Sequence, residues 1–259
     1  MLNLLCRLKR HPFPVKAFFR HSLVLTYAFP KEILQPLLPP GLVLDTYQDL
    51  GFLAIAIVQT KGLRPCFLPP ALGGNFFLSG YRIFTRLASQ SSSLRGLRIL
   101  RSDTDHPWMV KAGNLLTHYN YRLCQTDFEE RPGELEWNIH SPQHDADLRV
   151  IAKTGDMPGD TSGVLPEGSP FLAAQEARRF AGPLPYTFDY EAETHSIIRI
   201  KGVRQQWQPK PVRVEVLKNT FLQQQPFNRV TPVLANAFYV HDIPYRWERG
   251  VRTQLEATC

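Results

Sequence analysis

Along this chain the apolar residues mostly alternate with polar ones or form short unbroken runs, and stretches with a helical period are few. Extended segments are predicted at His21–Phe29, Val43–Asp45, Phe52–Thr60, Phe76–Ala88, Leu97–Arg101, His118–Thr126, Leu135–Ile139, Leu148–Lys153, Thr187–Glu191, Ser196–Lys201, Val212–Val216 and Ala237–Val240, followed by the aromatic run Tyr245-Arg246-Trp247. Phe52–Thr60 is almost wholly apolar, as expected of a strand covered on both faces. In Phe76–Ala88 the alternation sets Gly80, Arg82, Phe84 and Arg86 on one face and Ser79, Tyr81, Ile83, Thr85 and Leu87 on the other.

Helices are predicted where capping residues precede a helical period. Pro30 opens one at Lys31–Gln35, and Asp103 or Asp105 caps one running through Trp108, Met109, Ala112 and Leu116. Ser169-Pro170 starts another that continues to Phe180 and stops at Gly182. A short helix at Met1–Arg10 is expected to dock on the body. Ser89–Ser93 reads as a polar connection and residues 155–168 as a long surface loop or lid. Roughly ten strands with three or four helices make the chain mainly β (α+β): a closed or strongly curved antiparallel sheet with helices outside. Residues 1–20 are read as a basic N-terminal segment, 21–250 as a single domain and 251–259 as a tail, without repeat or linker.

Composition narrows the classes. The 259 residues contain 43% hydrophobic and 20% charged side chains, which is globular rather than disordered. The net charge of +7 is uneven: residues 1–20 hold Arg7, Lys9, Arg10, Lys16 and Arg20 and no acid. The remainder is near neutral, so no nucleic-acid partner is expected, and a weak membrane-surface contact is confined to residues 1–20. Cys6, Cys66, Cys124 and Cys259 are far apart, without zinc or C-x-x-C spacing, and read as free thiols in a reducing, cytoplasmic compartment. No apolar run reaches the length of a membrane span.

No dinucleotide fingerprint, phosphate loop, H-E-x-x-H helix or G-x-S-x-G elbow occurs, so no cofactor is expected. His140, His144 and Asp145 flank Pro142 and read as a solvated loop, so no metal is expected either. Arg82 and Arg86 are the notable cations, because a charge on the core face of a strand must be paired or serve a ligand. Asp103, at the end of the following strand, is positioned to pair across; the alternatives are a structural ion pair and an anion-binding role. Lys111 is a candidate amine and Tyr119 a candidate pocket wall.

Several segments, in order, resemble one family: LLPPGLVLD (37–45), VQTKGLRP (58–65), GYRIFTR (80–86), GLRILRSDTD (96–105), GNLLTHYNYR (113–122), LPEGSPF (165–171), ARRFAGPLPYTFDYE (177–191) and PVLANAFYVHDIPYRW (232–247). They resemble the domain of unknown function 2071 family, over about residues 21–250. That family is similar to the acetoacetate-decarboxylase-like superfamily. The resemblance implies a closed, cone-like β-barrel with flanking helices and a central cavity, and larger homo-oligomeric assemblies. It also implies Arg82 and Asp103 as counterparts of the decarboxylase's arginine and acid. The decarboxylase's reactive lysine falls at Tyr121 when the segment from Gly113 is aligned without a gap, or at His118 when aligned on the proline of the related family. Neither side chain can form an imine, so Schiff-base decarboxylation is not expected. The reading is a small-molecule-binding barrel whose polar pocket takes a small carboxylate or polar metabolite at Arg82, Asp103, His118, Tyr119 and Tyr121. A lyase or isomerase using His118 and Tyr121 in acid–base roles, with Lys111 as a relocated amine, is the enzyme alternative. A membrane-peripheral or structural protein is the third.

Overall fold

The computed structural model describes residues 7–88, 94–154, 165–205 and 207–255. The connection at 89–93, most of the 155–168 loop, the start of the N-terminal helix, Cys6 and Cys259 lie outside the described residues. The strands, in chain order, are β1 (Val15–Pro30), β2 (Leu42–Leu44), β3 (Leu50–Pro65), β4 (Gly74–Leu87), β5 (Arg95–Thr104), β6 (Tyr121–Leu123), β7 (Gln125–Arg131), β8 (Glu134–His140), β9 (Leu148–Lys153), β10 (Tyr186–Glu191), β11 (Ser196–Arg204), β12 (Lys210–Pro211), β13 (Arg213–Asn219), β14 (Val233–Trp247) and β15 (Val251–Gln254). The α-helices are α1 (Lys31–Leu34), α2 (Pro107–Leu116) and α3 (Ala174–Ala181). Among the described residues no helix is long and apolar enough to cross a membrane.

The chain is mostly β. The main sheet runs β14-β1-β3-β4-β5-β10-β11, and β11 pairs back onto β14 through Gly202–Trp247, Val203–Arg246 and Arg204–Tyr245. A second sheet, β13-β9-β8-β7, packs on its outside. Alternation along β1, β3 and β4 divides the side chains between these surroundings. Leu23, Leu25, Ile55, Ile57 and Tyr81 join Trp137, Ile139 and Val150 of the second sheet in the largest core cluster. Val24, Ala54, Ala56 and Arg82 point the other way, into the interior of the main sheet. This is why Phe52–Thr60 has no polar face: both of its faces are covered.

β1 begins at Val15, ahead of the expected His21, and Arg10 reaches back to Glu191 in a two-pronged ion pair at 2.8 and 2.6 Å. The segment His118–Thr126, expected as one strand, is split between the two sheets. Asn120 takes a left-handed conformation (φ 52°), β6 pairs in parallel with β5, and β7 enters the second sheet after Cys124. Neither Asp103 nor Asp105 caps α2. His106 does so, its Nδ1 accepting from the Trp108 N–H at 3.2 Å, while Asp105 accepts from the Phe77 N–H. Ser169 and Pro170 do not start a helix either, because the Ser169 hydroxyl donates to the Ala235 carbonyl at 2.7 Å and α3 begins only at Ala174. Gly182 does follow α3. A Cβ there would collide with the Arg178 carbonyl, so only glycine can turn the chain away that closely.

Candidate functional site

A cavity of about 920 Å³ lies inside the main sheet, and each of β1, β3, β4, β5, β10, β11 and β14 contributes to its wall. Most of that wall is apolar. Its cations are few and placed by local geometry. Arg82 projects inward from β4 and folds back over Gly80, where a Cβ would lie 2.8 Å from the guanidinium Nε. The register sets Gly80 opposite Ser102, and Ser102 opposite Tyr121, so glycine, hydroxyl and phenol form a row beneath this guanidinium. Arg204 enters from the last position of β11, opposite Tyr245, and its guanidinium stacks over the Trp207 ring at 4.8 Å. It donates to the Pro183 carbonyl at 2.5 Å. A third guanidinium, that of Arg64, lines the cavity from the end of β3 and donates to the Gly62 carbonyl at 2.7 Å.

Among the described residues none of these three arginines has a carboxylate partner, although other arginines of the chain do: Arg86, Arg95, Arg98 and Arg101 each hold an aspartate. The Nε atoms of Arg64 and Arg82 are buried without an acceptor. Burial holds Arg204 below its ordinary pKa, with Tyr245 opposing the shift and Arg82 adding to it, which places the two guanidinium groups in each other's field. Unpaired cations in an apolar enclosure are costly unless an anion meets them.

Tyr121 is fixed with unusual care. Asn114 of α2 accepts from the Tyr121 N–H at 2.7 Å and donates to its carbonyl at 2.8 Å. Gly113 leaves the space that the Tyr121 ring fills against the helix. Burial pushes the Tyr121 phenol up to about 12, with Arg82 pulling the other way. Tyr119, also on the wall, is raised by burial as well. Lys111 is exposed at the edge of the cavity.

Of the residues singled out in the sequence, Arg82, Lys111, Tyr119 and Tyr121 thus border one cavity, and three do not. Asp103 does not pair with Arg82. The strand register puts it opposite Ser79, and a bulge between Tyr81 and Arg82 turns it to the outer face, where it is bound by Arg101 at 2.7 Å. His118, in the bend before β6, lies outside the wall in the field of Lys9, Glu191 and Arg98; burial lowers its pKa. Arg86 is beyond the cavity. Because β2 pairs with the end of β4, the chain delivers Asp45 to Arg86 and Arg95, each at 2.5 Å. The expected pocket loses its acid and its imidazole for these reasons. What the sequence reading missed is Arg204. No local signal singled it out: Gly-x-Arg occurs at 62–64, 80–82, 96–98, 202–204 and 250–252, and the arginines of the third and fifth do not line the cavity.

Three solved structures have the same fold over nearly their whole length. Acetoacetate decarboxylase from Legionella pneumophila subsp. pneumophila str. Philadelphia 1 superposes with a TM-score of 0.59 at 10% identity, covering 93% of this chain and 88% of that one. An acetoacetate decarboxylase-like enzyme from Sphingomonas wittichii RW1 gives 0.58 at 14% identity, covering 93% and 92%. The enduracididine biosynthesis enzyme MppR, complexed with pyruvate, gives 0.57 at 9% identity, covering 93% and 90%. At these identities the likeness is one of fold alone. No curated protein sequence matches the chain significantly. The profile of the DUF2071 family, described as an uncharacterized conserved protein, matches residues 16–244. With that match spanning most of its length, on an acetoacetate decarboxylase-like fold, the chain belongs to the DUF2071 family.

Proposed function

We propose that this protein binds a small organic anion inside a closed, cone-like β-barrel, with Arg82 and Arg204 receiving the charged group. The observation that carries this reading is that three guanidinium groups on the cavity wall, those of Arg64, Arg82 and Arg204, have no carboxylate partner among the described residues, and that Arg82 and Arg204 lie in each other's field. A guanidinium presents a planar fork of donors that matches a carboxylate, and desolvation inside the cavity strengthens that contact. The pairing of β11 with β14 supports the barrel, since it returns the strand path to its start. The complex of MppR with pyruvate supports the choice of ligand, because a protein of this fold forms a complex with a small carboxylate.

Calorimetric titration with a panel of carboxylates and their uncharged amide and alcohol counterparts tests the proposal. Carboxylates should bind and the neutral counterparts should not. Arg82→Ala and Arg204→Ala should each weaken binding by about 1.5–3 kcal/mol, the range for a hydrogen bond to a charged group. Equal binding of acids and alcohols, or unchanged affinity in both variants, refutes it. If the site also performs chemistry, Tyr121 is the phenol placed to share in it, since it lies beside Arg82 on the cavity wall and, neutral near pH 7, can both donate and accept a hydrogen bond. Tyr121→Phe would then abolish turnover while leaving anion binding in place.

A further inference from the structure

Resting on the anion-binding reading, we infer that the ligand is amphipathic: an acid group carried on an extended apolar chain. Three features of the cavity point the same way. The first is size. A volume of about 920 Å³ is near the upper end for ligand pockets. It would hold about thirty water-sized molecules, of which a three-carbon acid displaces only a few.

The second is the distribution of polarity. The strand register lines up small and aliphatic residues on the inward face, Val24 opposite Ala56 and Ala56 opposite Gly80, with Val58 two residues along. These positions carve the space and offer no hydrogen bonds. Arg82 and Arg204 lie in each other's field, beside Tyr121 and Tyr245 respectively. Charge is thus offered at a few points, Arg82 and Arg204 together and Arg64 at the end of β3, and most of the remaining wall offers hydrocarbon. A small polar metabolite would leave this wall against water, which gains nothing from apolar burial.

The third is the opening. Leu72, Trp108 and Leu115 line the cavity and yet are 63%, 61% and 44% exposed. They come from the connection between β3 and β4 and from α2, and Trp108 lies nearly parallel to Phe76 with ring centroids 6.5 Å apart. An apolar edge of this kind suits a hydrocarbon chain threading past it. A mouth for small acids alone has no use for it.

The test is calorimetry with straight-chain carboxylates from acetate to dodecanoate, below their aggregation concentrations, alongside the matching alcohols. Each added methylene should tighten binding by up to about fourfold until the cavity is filled. Ala56→Leu, which adds bulk to the inward face of β3, should shift the best chain length downwards. Should that variant not fold, the wild-type length series still decides. Affinity that stays flat with chain length, and remains sensitive to Arg82→Ala, overturns the apolar-chain inference and leaves the anion reading standing. Alcohols binding as tightly as acids of equal length overturn the anion reading, and the charged head of the inferred ligand with it.

Discussion

Replacing Arg101 with methionine tests whether the Arg101–Asp103 pair belongs to the core rather than to the cavity. Both side chains are buried on the outer face of β5. Arg101 donates through Nε to Asp103 at 2.7 Å and through Nη1 to Asp145 at 2.6 Å. Asp145 retains Arg122 at 2.8 Å when Arg101 is removed. Asp103 retains only the Ser79 hydroxyl, at 3.4 Å, among the described residues. The loss therefore falls on one carboxylate with no exposure to water. Removing one partner of a buried pair costs about 3–5 kcal/mol, a large part of the 5–15 kcal/mol that typically holds a domain together. The pH dependence carries a definite sign. Burial already raises the Asp103 pKa against the pull of Arg101, and deleting the arginine raises it further. A carboxyl raised in the folded state destabilises at high pH and is relieved as pH falls through its folded value. Urea unfolding should accordingly show a wide gap between wild type and Arg101→Met at pH 7, narrowing at pH 5. Adding Asp103→Leu should recover most of the loss. A gap below about 1 kcal/mol, or one that does not narrow in acid, would refute the assignment of this pair to the core.

Other consequences are simpler to check. Gly80→Ala places a Cβ 2.8 Å from the Arg82 Nε, the far part of a flexible side chain, so stability should change by less than about 1 kcal/mol while decanoate affinity falls about tenfold or more. Urea unfolding and calorimetry on the same sample separate the two effects. Cys124 is buried and its thiol is pushed well up by burial, so mass mapping should find it unmodified by thiol reagents in the folded protein and modified in urea. Lys111→Ala should move stability by no more than about 0.5 kcal/mol, as for an exposed residue. Borohydride treatment with a keto acid should leave no adduct at Lys111; an adduct there would restore an amine-based mechanism.

Much of the fold was legible in local sequence, because strand faces and turns are set by short-range rules. Alternation through GYRIFTR put Arg82 on the opposite face from Tyr81, and the unbroken apolar run at Phe52–Thr60 announced a strand covered twice. The breaks in pattern were less visible. HYNYRLCQT alternates as a single strand would, yet it is a bend up to Asn120, then three residues paired with β5, then, past Cys124, residues paired with β8 in the second sheet; Asn114 holds the Tyr121 backbone at the first break. Alternation also says that two faces differ without saying which is hollow. Asp103 looked like a partner for Arg82 because both sit on neighbouring strands. Only the register, shifted by a bulge at Tyr81/Arg82, sends one inward and the other into the packed core. Arg204 lies in a stretch, KGVRQQW, with no local mark of importance. It becomes a cavity residue when β11 meets β14, a pairing between segments some forty residues apart that no local pattern encodes. The sequence by itself therefore determined most of the strand segments and the side-chain types able to hold an anion. The tertiary structure decided which of those residues share one enclosed space, since that depends on long-range strand register, and a shift of one residue reverses every face.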